Sequence, residues 1–524
     1  MNIKKVFLLF FTVLSLVMNA QTSWQRVYGN MDEDGGKSVM QTSDGGIMVA
    51  GTTISYGAGF FDFYLLKLNS FGDTIFSRIY GSAEYETLNG AIQTNDGGYL
   101  LVGDKSQNGP PFGPNDLLVI KTTSTGTLSW SKIIDFAYIE VRPSVIQAFD
   151  GGIVIAGSAL DTTFNWRGFI VKLSSTGSVV WFKSYDFAAN TIFFESIKET
   201  GGGFVLAGTI NDSLGTDMLL LRVGSTGIMA WAKRIGTIES CQGENVLVTA
   251  SGDILLAGYE NPANINQDQS MLIARLNSGG TLSWFRKYQL AGIDTYPTWL
   301  DEDGNGNIIL SGFIENITAG PYGFLVQTSS TGTVNWANAY GGYNNTLNGV
   351  TTFTNSSYVA AGIMASTHSA NDPLSVYVVR CNNSGISGCY ELAFSFTSTL
   401  LSGSPVNCTA TTSGNPTLIN FPVQVNAGAV VLDGCTVGVS EPEDQFQLEV
   451  YPNPFSQTTT FQFSDILPLP DEIIILDALG REVKRQKVFS AQTEVNRNGL
   501  ADGLYFYHIL RAGALSTTGK LLIR

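Results

Sequence analysis

The chain has 524 residues, of which 44% are hydrophobic and 14% are charged, and its formal net charge is −15. This apolar fraction is enough to bury a core and excludes a disordered chain. The acidic balance argues against binding nucleic acid or anionic lipid by charge, because both are polyanions. It suits solubility outside the cell, and it would also help to bind cations.

The first twenty residues have the pattern of a signal peptide. Lys4 and Lys5 precede an apolar run, Val6–Val17, that is too short for a membrane span. A cleavage point is expected between Ala20 and Gln21. No later segment has the apolar length of a transmembrane helix, so the sequence predicts an exported mature protein.

A short motif recurs seven times at a period near fifty residues, and DGGIMVAGTT at Asp44–Thr53 is the first copy. Each period contains four short β runs joined by two tight turns and two longer loops. The glycine that ends each apolar run falls at Gly51, Gly103, Gly157, Gly208, Gly258, Gly312 and Gly362. Residues 21–380 therefore resemble a seven-bladed β-propeller, with one four-stranded blade per period.

A tryptophan marks one strand of the repeat, directly after a turn that reads STG or a close variant. It occurs at Trp130, Trp181, Trp231, Trp284 and Trp336. We expect these side chains to pack between neighbouring sheets rather than to contact a ligand. The segment Ser23–Gly29 has the same pattern, and the seventh copy lacks it. We therefore expect Trp24 to join the sheet that contains Val376–Arg380 and to close the ring.

The tight turns are expected on one face of the ring and the longer, variable loops on the other. Loops held by a rigid scaffold are common binding sites. The ligand-binding candidates on that face are Trp166, Trp299, Tyr85, Glu84, Glu86 and Tyr343. Aromatic rings can stack on sugars while acids bind hydroxyl groups. The alternative is that these side chains only cap the sheets and the central channel.

One segment resembles a calcium loop. Asp301, Asp303 and Asn305 alternate as oxygen ligands do in the D-x-[DN]-x-[DN]-G pattern. The segment lacks the distal bidentate Glu, and it coincides with the DGG turn of its repeat, where Asp and Gly serve turn geometry. Calcium is the only cofactor that the sequence suggests.

Catalytic motifs are absent from the sequence. It contains two histidines, and it lacks an HExxH pair, a GxSxG elbow and a phosphate-binding glycine loop. Acids from distant repeats can meet in a central channel, but sequence spacing does not reveal such a pair.

Four cysteines cluster after the repeats, and Cys241 stands apart from them. In an exported protein such a cluster predicts disulfides, with three possible connectivities. The candidates are Cys381, Cys389, Cys408 and Cys435. We expect residues 381–440 to form a small Cys-containing β segment and linker, with a free thiol at Cys241.

The last segment, residues 441–524, has a different pattern. It combines a YPNP entry, an LGREV turn, an L-x-x-G-x-Y motif and a GKLLI ending. The motif residues are Tyr451, Pro452, Asn453, Pro454, Gly503 and Tyr505. This combination resembles the C-terminal sorting domain of type IX secretion (Por secretion) cargo in Bacteroidetes. The resemblance implies a small Ig-like β-sandwich that is read by the export machinery and typically removed by a sortase.

The sequence thus predicts an all-β exported protein, at the cell surface or released, that passes through the periplasm. Its expected partners are the type IX machinery, the sortase, and a glycan or protein ligand. The leading function is binding or adhesion through the loop-bearing face. A propeller-type glycan hydrolase or lyase and a structural surface component are the alternatives.

Overall fold

A computed structural model describes most of the chain after its first 22 residues. The described residues are 23–29, 33–57, 59–106, 115–137, 139–161, 164–187, 191–264, 267–316, 320–341, 344–353, 357–365, 374–388, 391–402, 406–408, 411–413, 417–420, 424–426, 430–435, 448–463, 472–477, 481–511 and 514–524. The predicted signal peptide, Tyr343 and Cys389 lie outside them. The chain divides into two compact bodies, Met1–Thr436 and Val437–Arg524.

Within the described residues the first body contains seven four-stranded antiparallel repeats. The strands are Trp24–Gly29 (β1), Asp34–Gln41 (β2), Ile47–Thr53 (β3), Asp62–Leu68 (β4), Thr74–Gly81 (β5), Tyr85–Gln93 (β6), Tyr99–Ser106 (β7), Asn115–Thr122 (β8), Leu128–Asp135 (β9), Ile139–Gln147 (β10), Ile153–Leu160 (β11), Trp166–Leu173 (β12), Val179–Asp186 (β13), Thr191–Thr200 (β14), Gly203–Asp212 (β15), Gly215–Gly224 (β16), Met229–Ile235 (β17), Ser240–Val248 (β18), Ile254–Asn261 (β19), Ser270–Leu276 (β20), Leu282–Gln289 (β21), Asp294–Glu302 (β22), Ile308–Asn316 (β23), Gly320–Thr328 (β24), Val334–Tyr340 (β25), Asn345–Phe353 (β26), Ser357–Ala365 (β27) and Leu374–Cys381 (β28).

The first repeat consists of β2 to β5, and each following set of four strands forms the next repeat through β25. The seventh repeat is completed by the chain start, because β1 pairs antiparallel with β28 and Trp24 lies opposite Arg380. The predicted strand exchange is therefore confirmed. The innermost strands contact one another in sequence, and β2 also contacts β26, which closes the ring.

The middle strands of each repeat are apolar because both of their faces are covered. All seven residues of β4 are buried. One core cluster joins Phe63 and Leu65 of the first repeat to Leu101 and Leu118 of the second. The fold is all-β, and no helix in the described part of the chain has the length and apolar character needed to cross a membrane.

The marker tryptophans pack between repeats, as predicted. Trp24 covers Gly72 of the first repeat, where an added Cβ would lie 2.8 Å from the indole ring. Four residues further on, the Tyr28 hydroxyl donates a hydrogen bond to the Gly72 carbonyl oxygen at 2.6 Å. The same tyrosine–glycine bond links Tyr80 to Gly126, Tyr185 to Gly227, Tyr288 to Gly332 and Tyr340 to Gly385.

The segment after the ring forms a belt rather than a separate module. Its strands are Glu391–Ala393 (β29), Thr397–Leu400 (β30), Val406–Cys408 (β31), Thr411–Ser413 (β32), Thr417–Asn420 (β33), Gln424–Asn426 (β34) and Val430–Cys435 (β35). They pair in reverse order with the outer strands of the sixth to the first repeat, and β35 pairs with β1. The belt thus covers outer edges that would otherwise expose unpaired backbone groups.

The cysteine positions correct the disulfide prediction. The thiol of Cys381 is buried and free, so the disulfide predicted for it is wrong, whereas the free thiol expected at Cys241 is confirmed. Cys408 lies opposite Ala232 of the fourth repeat, and Cys435 lies opposite Gln25 in the seventh. These two cysteines sit on different sheets because the belt follows the ring, which separates residues that are close in sequence.

The C-terminal body contains two sheets around a common core. Its strands are Leu448–Tyr451 (β36), Thr458–Phe463 (β37), Glu472–Leu476 (β38), Glu482–Lys487 (β39), Gln492–Asn496 (β40), Gly503–Arg511 (β41) and Ala514–Ile523 (β42). The sheet orders are β36-β37-β40 and β39-β38-β41-β42. Phe461 of one sheet and Ile509 of the other belong to the same buried cluster.

Hydrogen bonds join two of the sorting motifs. The Asn453 amide donates to the Lys520 carbonyl oxygen at 2.7 Å, and its Oδ1 accepts from the Leu522 backbone N–H at 2.9 Å. The YPNP entry is therefore bonded to the GKLLI strand. The Tyr505 hydroxyl donates to the Ala501 carbonyl oxygen at 3.0 Å.

We expect Gly72→Ala to destabilise the ring more than Gly45→Ala. Both glycines have positive φ, 87° and 80°, so each alanine costs about 1–2 kcal/mol in backbone strain. Only Gly72 has Trp24 within contact distance, whereas an added Cβ at Gly45 meets nothing within 4 Å. Overpacking should therefore add about 1–3 kcal/mol at Gly72. Urea unfolding of both variants measures the difference, and equal losses would contradict the proposed role of Trp24.

Candidate functional site

The innermost strand of every repeat has a register shift, and the residues at these shifts meet in the central channel. They are Lys37, Asn89, Arg142, Pro143, Glu195, Glu244, Thr298 and Asn348. A β-bulge redirects a side chain from the usual alternation of the strand. All eight residues line one cavity of about 390 Å³.

An ion pair joins two neighbouring repeats in this cavity. Arg142 Nη1 donates to Glu195 Oε1, and the Arg142 guanidinium lies 5.4 Å from the Phe193 ring centroid. The φ of Arg142 is 55°, which is uncommon for a residue other than glycine. The strained backbone and the ion pair together hold the guanidinium at the channel wall.

The carboxyl groups of Glu195 and Glu244 influence each other. Burial raises the pKa of Glu244 to about 8, and the charge of Glu195 adds to this shift. Burial also raises the pKa of Glu195, while the ion pair with Arg142 opposes that rise. For Glu244, burial and the charge of Glu195 both favour the protonated form, whereas for Glu195 the ion pair with Arg142 works against burial. The cavity thus brings together two acids that differ in their electrostatic surroundings.

Aromatic side chains lie near these charged groups. Phe193 contacts Trp166, with 5.0 Å between ring centroids. Tyr259 contacts Tyr296 at 5.4 Å, and Tyr296 stacks on Phe313 at 4.7 Å. Burial, followed by the charge of Glu244, raises the pKa of Tyr259 to about 12, so this phenol lies within electrostatic reach of the acid pair.

A further basic side chain of the cavity lining, Lys198, contacts an aromatic ring. Lys198 of the fourth repeat places its ammonium 5.2 Å from the ring centroid of Trp299 in the sixth. Burial lowers the pKa of Lys198, and the charge of Asp301 opposes this shift. Asp301 accepts a hydrogen bond from the Thr352 backbone N–H at 2.8 Å. The Lys198–Trp299 contact connects two repeats that are not adjacent in the ring, whereas the Asp301–Thr352 bond connects two neighbouring repeats.

The structure brings only some of the predicted ligand-binding residues to the channel. Trp299 lines the cavity, and Trp166 is linked to it through the Phe193 contact. Glu84 forms an ion pair with Lys105, and Tyr85 stacks on the Phe60 ring at 4.7 Å.

Glu86 is unsuited to ligand binding because it is fully buried. Its Oε2 accepts from the Ser82 backbone N–H at 3.0 Å, and its other oxygen accepts from the Ser82 hydroxyl. Glu84, Tyr85 and Glu86 therefore belong to the connection between the first two repeats. None of them lines the channel cavity.

The calcium-like segment has the contacts of a turn. Asp303 accepts from the Asn305 backbone N–H at 2.8 Å and from the Tyr358 hydroxyl at 2.9 Å. Asp44 in the first repeat makes the equivalent turn contact with the Gly46 backbone N–H at 3.0 Å. These donors favour the turn interpretation over the calcium prediction, which stays untested.

Sequence reasoning missed Lys37, Arg142, Glu195 and Glu244. The residues at the register shifts of the seven innermost strands recur every 49 to 54 residues. The glycines that end the apolar runs recur with nearly the same period. An alignment of the seven copies on this strand reveals polar residues at one position. It does not reveal that a bulge turns them into the channel.

Residues 449–524 match the Secretion system C-terminal sorting domain family (Por_Secre_tail). The domain directs export, so the chain is destined for the cell surface or for secretion. A search of curated proteins finds no match to the chain.

Solved structures with a similar fold include enzymes and a protein of unknown function. A PL25 ulvan lyase bound to -[GlcA(1-4)Rha3S]- has a TM-score of 0.44 at 11% identity, covering 69% of this chain and 97% of that one. The GH93 alpha-L-arabinofuranosidase of Fusarium graminearum has 0.35 at 10%, covering 56% and 92%. A protein of unknown function from Dyadobacter fermentans has 0.37 at 11%, covering 68% and 98%. Similarities this low carry no inference about activity.

We expect Glu244→Gln to reduce the pH dependence of stability. The folded state keeps a proton up to about pH 8, whereas the unfolded chain releases it near pH 4.5. The free energy of unfolding of the natural protein should therefore fall as pH rises through this window. The variant should lose less, by at least about 1 kcal/mol, since one pKa unit is worth about 1.4 kcal/mol.

Urea unfolding at about pH 5 and about pH 9 measures this change. Glu33→Gln is the control, because it removes one acid from an exposed position. The same pH dependence in Glu244→Gln and the natural protein would contradict the assignment.

Proposed function

We propose that this chain is an exported seven-bladed β-propeller, of the type found in Bacteroidetes, that binds a glycan at its central channel. The observation that carries the proposal is the grouping of Arg142, Glu195 and Glu244 in one cavity with aromatic rings close by. The cavity volume of about 390 Å³ falls within the usual range for small-ligand sites.

The chemistry of these side chains suits a sugar. Carboxyl, guanidinium and amide groups can bond hydroxyl groups in both directions, and Asn89 and Asn348 add amides to the lining. Trp166 and Tyr296 offer faces on which a sugar ring can stack. The lining carries the basic side chains of Lys37, Arg142 and Lys198 beside the two acids, so it can bond a polar ligand through both kinds of group.

In this proposal the C-terminal body is the sorting signal for export. An Ig-like sandwich would be recognised by the type IX machinery and removed by a sortase, which leaves the ring and belt at the surface or released. The family match at residues 449–524 supports this role.

Glycan hydrolysis is the second candidate, and the raised pKa of Glu244 favours it. A protonated Glu244 beside ionised Glu195 resembles the acid and the carboxylate that glycosidases place on either side of the scissile bond. In this alternative, Glu244 would protonate the leaving oxygen, and Glu195 would activate water or stabilise the developing cation.

A glycan array with the full chain tests binding. We expect a specific glycan to bind, and Arg142→Met and Glu195→Gln to weaken that binding at least about tenfold, since each removes a charged hydrogen-bond partner. Glu84→Gln is the matched control, because Glu84 lies outside the cavity. Equal losses in all three variants, or the absence of any bound glycan, would contradict the proposal.

Incubation of each bound glycan with the protein separates binding from hydrolysis. Products that disappear in Glu244→Gln, while the glycan still binds, would establish the hydrolase alternative. Binding without products would establish a binding protein. If the chain neither binds nor cleaves glycans, the role as a structural surface component is the remaining alternative.

A further inference from the structure

Three carboxyl groups meet where the second repeat adjoins the third, away from the channel cavity. Asp116 is the second residue of β8, Asp135 is the last residue of β9, and Glu140 is the second residue of β10. One carboxylate oxygen of each residue lies within 4.8 Å of those of the other two. Three like charges at this separation repel one another unless a proton or a cation offsets them.

Glu140 provides a second, independent observation. Its side chain is 1% exposed. Oε1 accepts from the backbone N–H groups of Phe136 at 3.1 Å and Ala137 at 2.7 Å. Oε2 is also buried, and within the described residues it has no hydrogen-bond partner. A buried carboxylate oxygen without a partner is costly, which indicates that something binds it.

At the equivalent positions of the two neighbouring sites described next, the acidic side chains have hydrogen-bond or ion-pair partners. Glu86 has the register position of Glu140 one repeat earlier, and both of its oxygens accept from Ser82. In the third repeat, the site that matches the Asp116–Asp135 pair holds Arg167 and Asp186, whose side chains form an ion pair at 2.6 Å. Asp62 and Asp217 hold the position of Asp116 in the first and fourth repeats, but each of them faces a glycine, Gly81 or Gly236. Among the seven described repeats, only the second places two acids opposite each other at this position.

The neighbouring lysine does not supply the missing charge. Lys105 lies within electrostatic reach of Asp116. The ammonium of Lys105 already forms an ion pair with Glu84.

We propose that Asp116, Asp135 and Glu140 bind a calcium ion. Calcium accepts oxygen ligands at about 2.3–2.6 Å, so two of its ligand atoms are at most about 5 Å apart. The separations at this junction satisfy that limit. A set of carboxylates without nitrogen or sulfur selects hard cations such as calcium over zinc or copper. The ion would satisfy the unpartnered oxygen of Glu140 and offset the repulsion among the three acids.

The ion would also stabilise the connection that leads into the channel strand. Glu140 already holds the backbone of Phe136 and Ala137, and it precedes Arg142 by two residues. Calcium would therefore secure the part of β10 that positions Arg142. The calcium site does not depend on whether the channel binds a glycan.

Calcium titration of the full chain, first stripped with EDTA, tests the site by calorimetry. We expect about one calcium ion per chain at this site, and Asp116→Asn and Asp135→Asn should each weaken it at least about tenfold, because each removes a charged ligand. Calcium should also raise the melting temperature of the natural protein but not of these variants. Asp186→Asn is the matched control, because that aspartate is paired with Arg167 and should leave the calcium affinity unchanged.

Glu140→Gln is a weaker test, since Glu140 also supports the backbone of its loop and the variant can misfold. Asp116 and Asp135 are partly exposed, so their asparagine variants are expected to fold. The absence of saturable calcium binding in the natural protein would overturn the proposal. So would an unchanged affinity in Asp135→Asn, because calcium would then bind elsewhere.

Discussion

The contact between each marker aromatic and the next repeat is the interaction on which the ring depends. An indole such as Trp24 lies on the turn glycine of its neighbour, and the tyrosine four residues later bonds that glycine's carbonyl. A side chain at Gly72 would occupy the space of the indole. Because the contact joins consecutive repeats, its use by β1 links the chain start to the first repeat and closes the ring.

Closure and the belt address the same physical problem. Each sheet ends in an outer strand whose free edge could pair with another molecule. The belt supplies a fifth strand to every repeat, and β35 pairs with the chain's own first strand. The N-terminal strand is therefore held between β28 and β35. Removal of the belt would expose edges on all seven repeats together.

The bulge positions that line the channel are equivalent in every repeat, whereas the residues at these positions differ in charge. The bulges recur in every repeat, but the residues that they present differ, from Lys37 to Glu244. The repeated scaffold thus creates equivalent positions, and sequence divergence gives them different charges. Burial, together with the charge of Glu195, raises the pKa of Glu244 among these residues.

The sequence alone determined the all-β class, the repeat period, the strand exchange of Trp24 and the sorting domain, because these depend on local patterns of turns and apolar strands. Tertiary structure decided the belt, whose short strands form only against existing edges. It also decided that the thiol of Cys381 is buried and free, and that Cys408 and Cys435 lie on different sheets of the ring. The grouping of Arg142, Glu195 and Glu244 depends on bulges and on ring closure, which bring together residues about fifty positions apart.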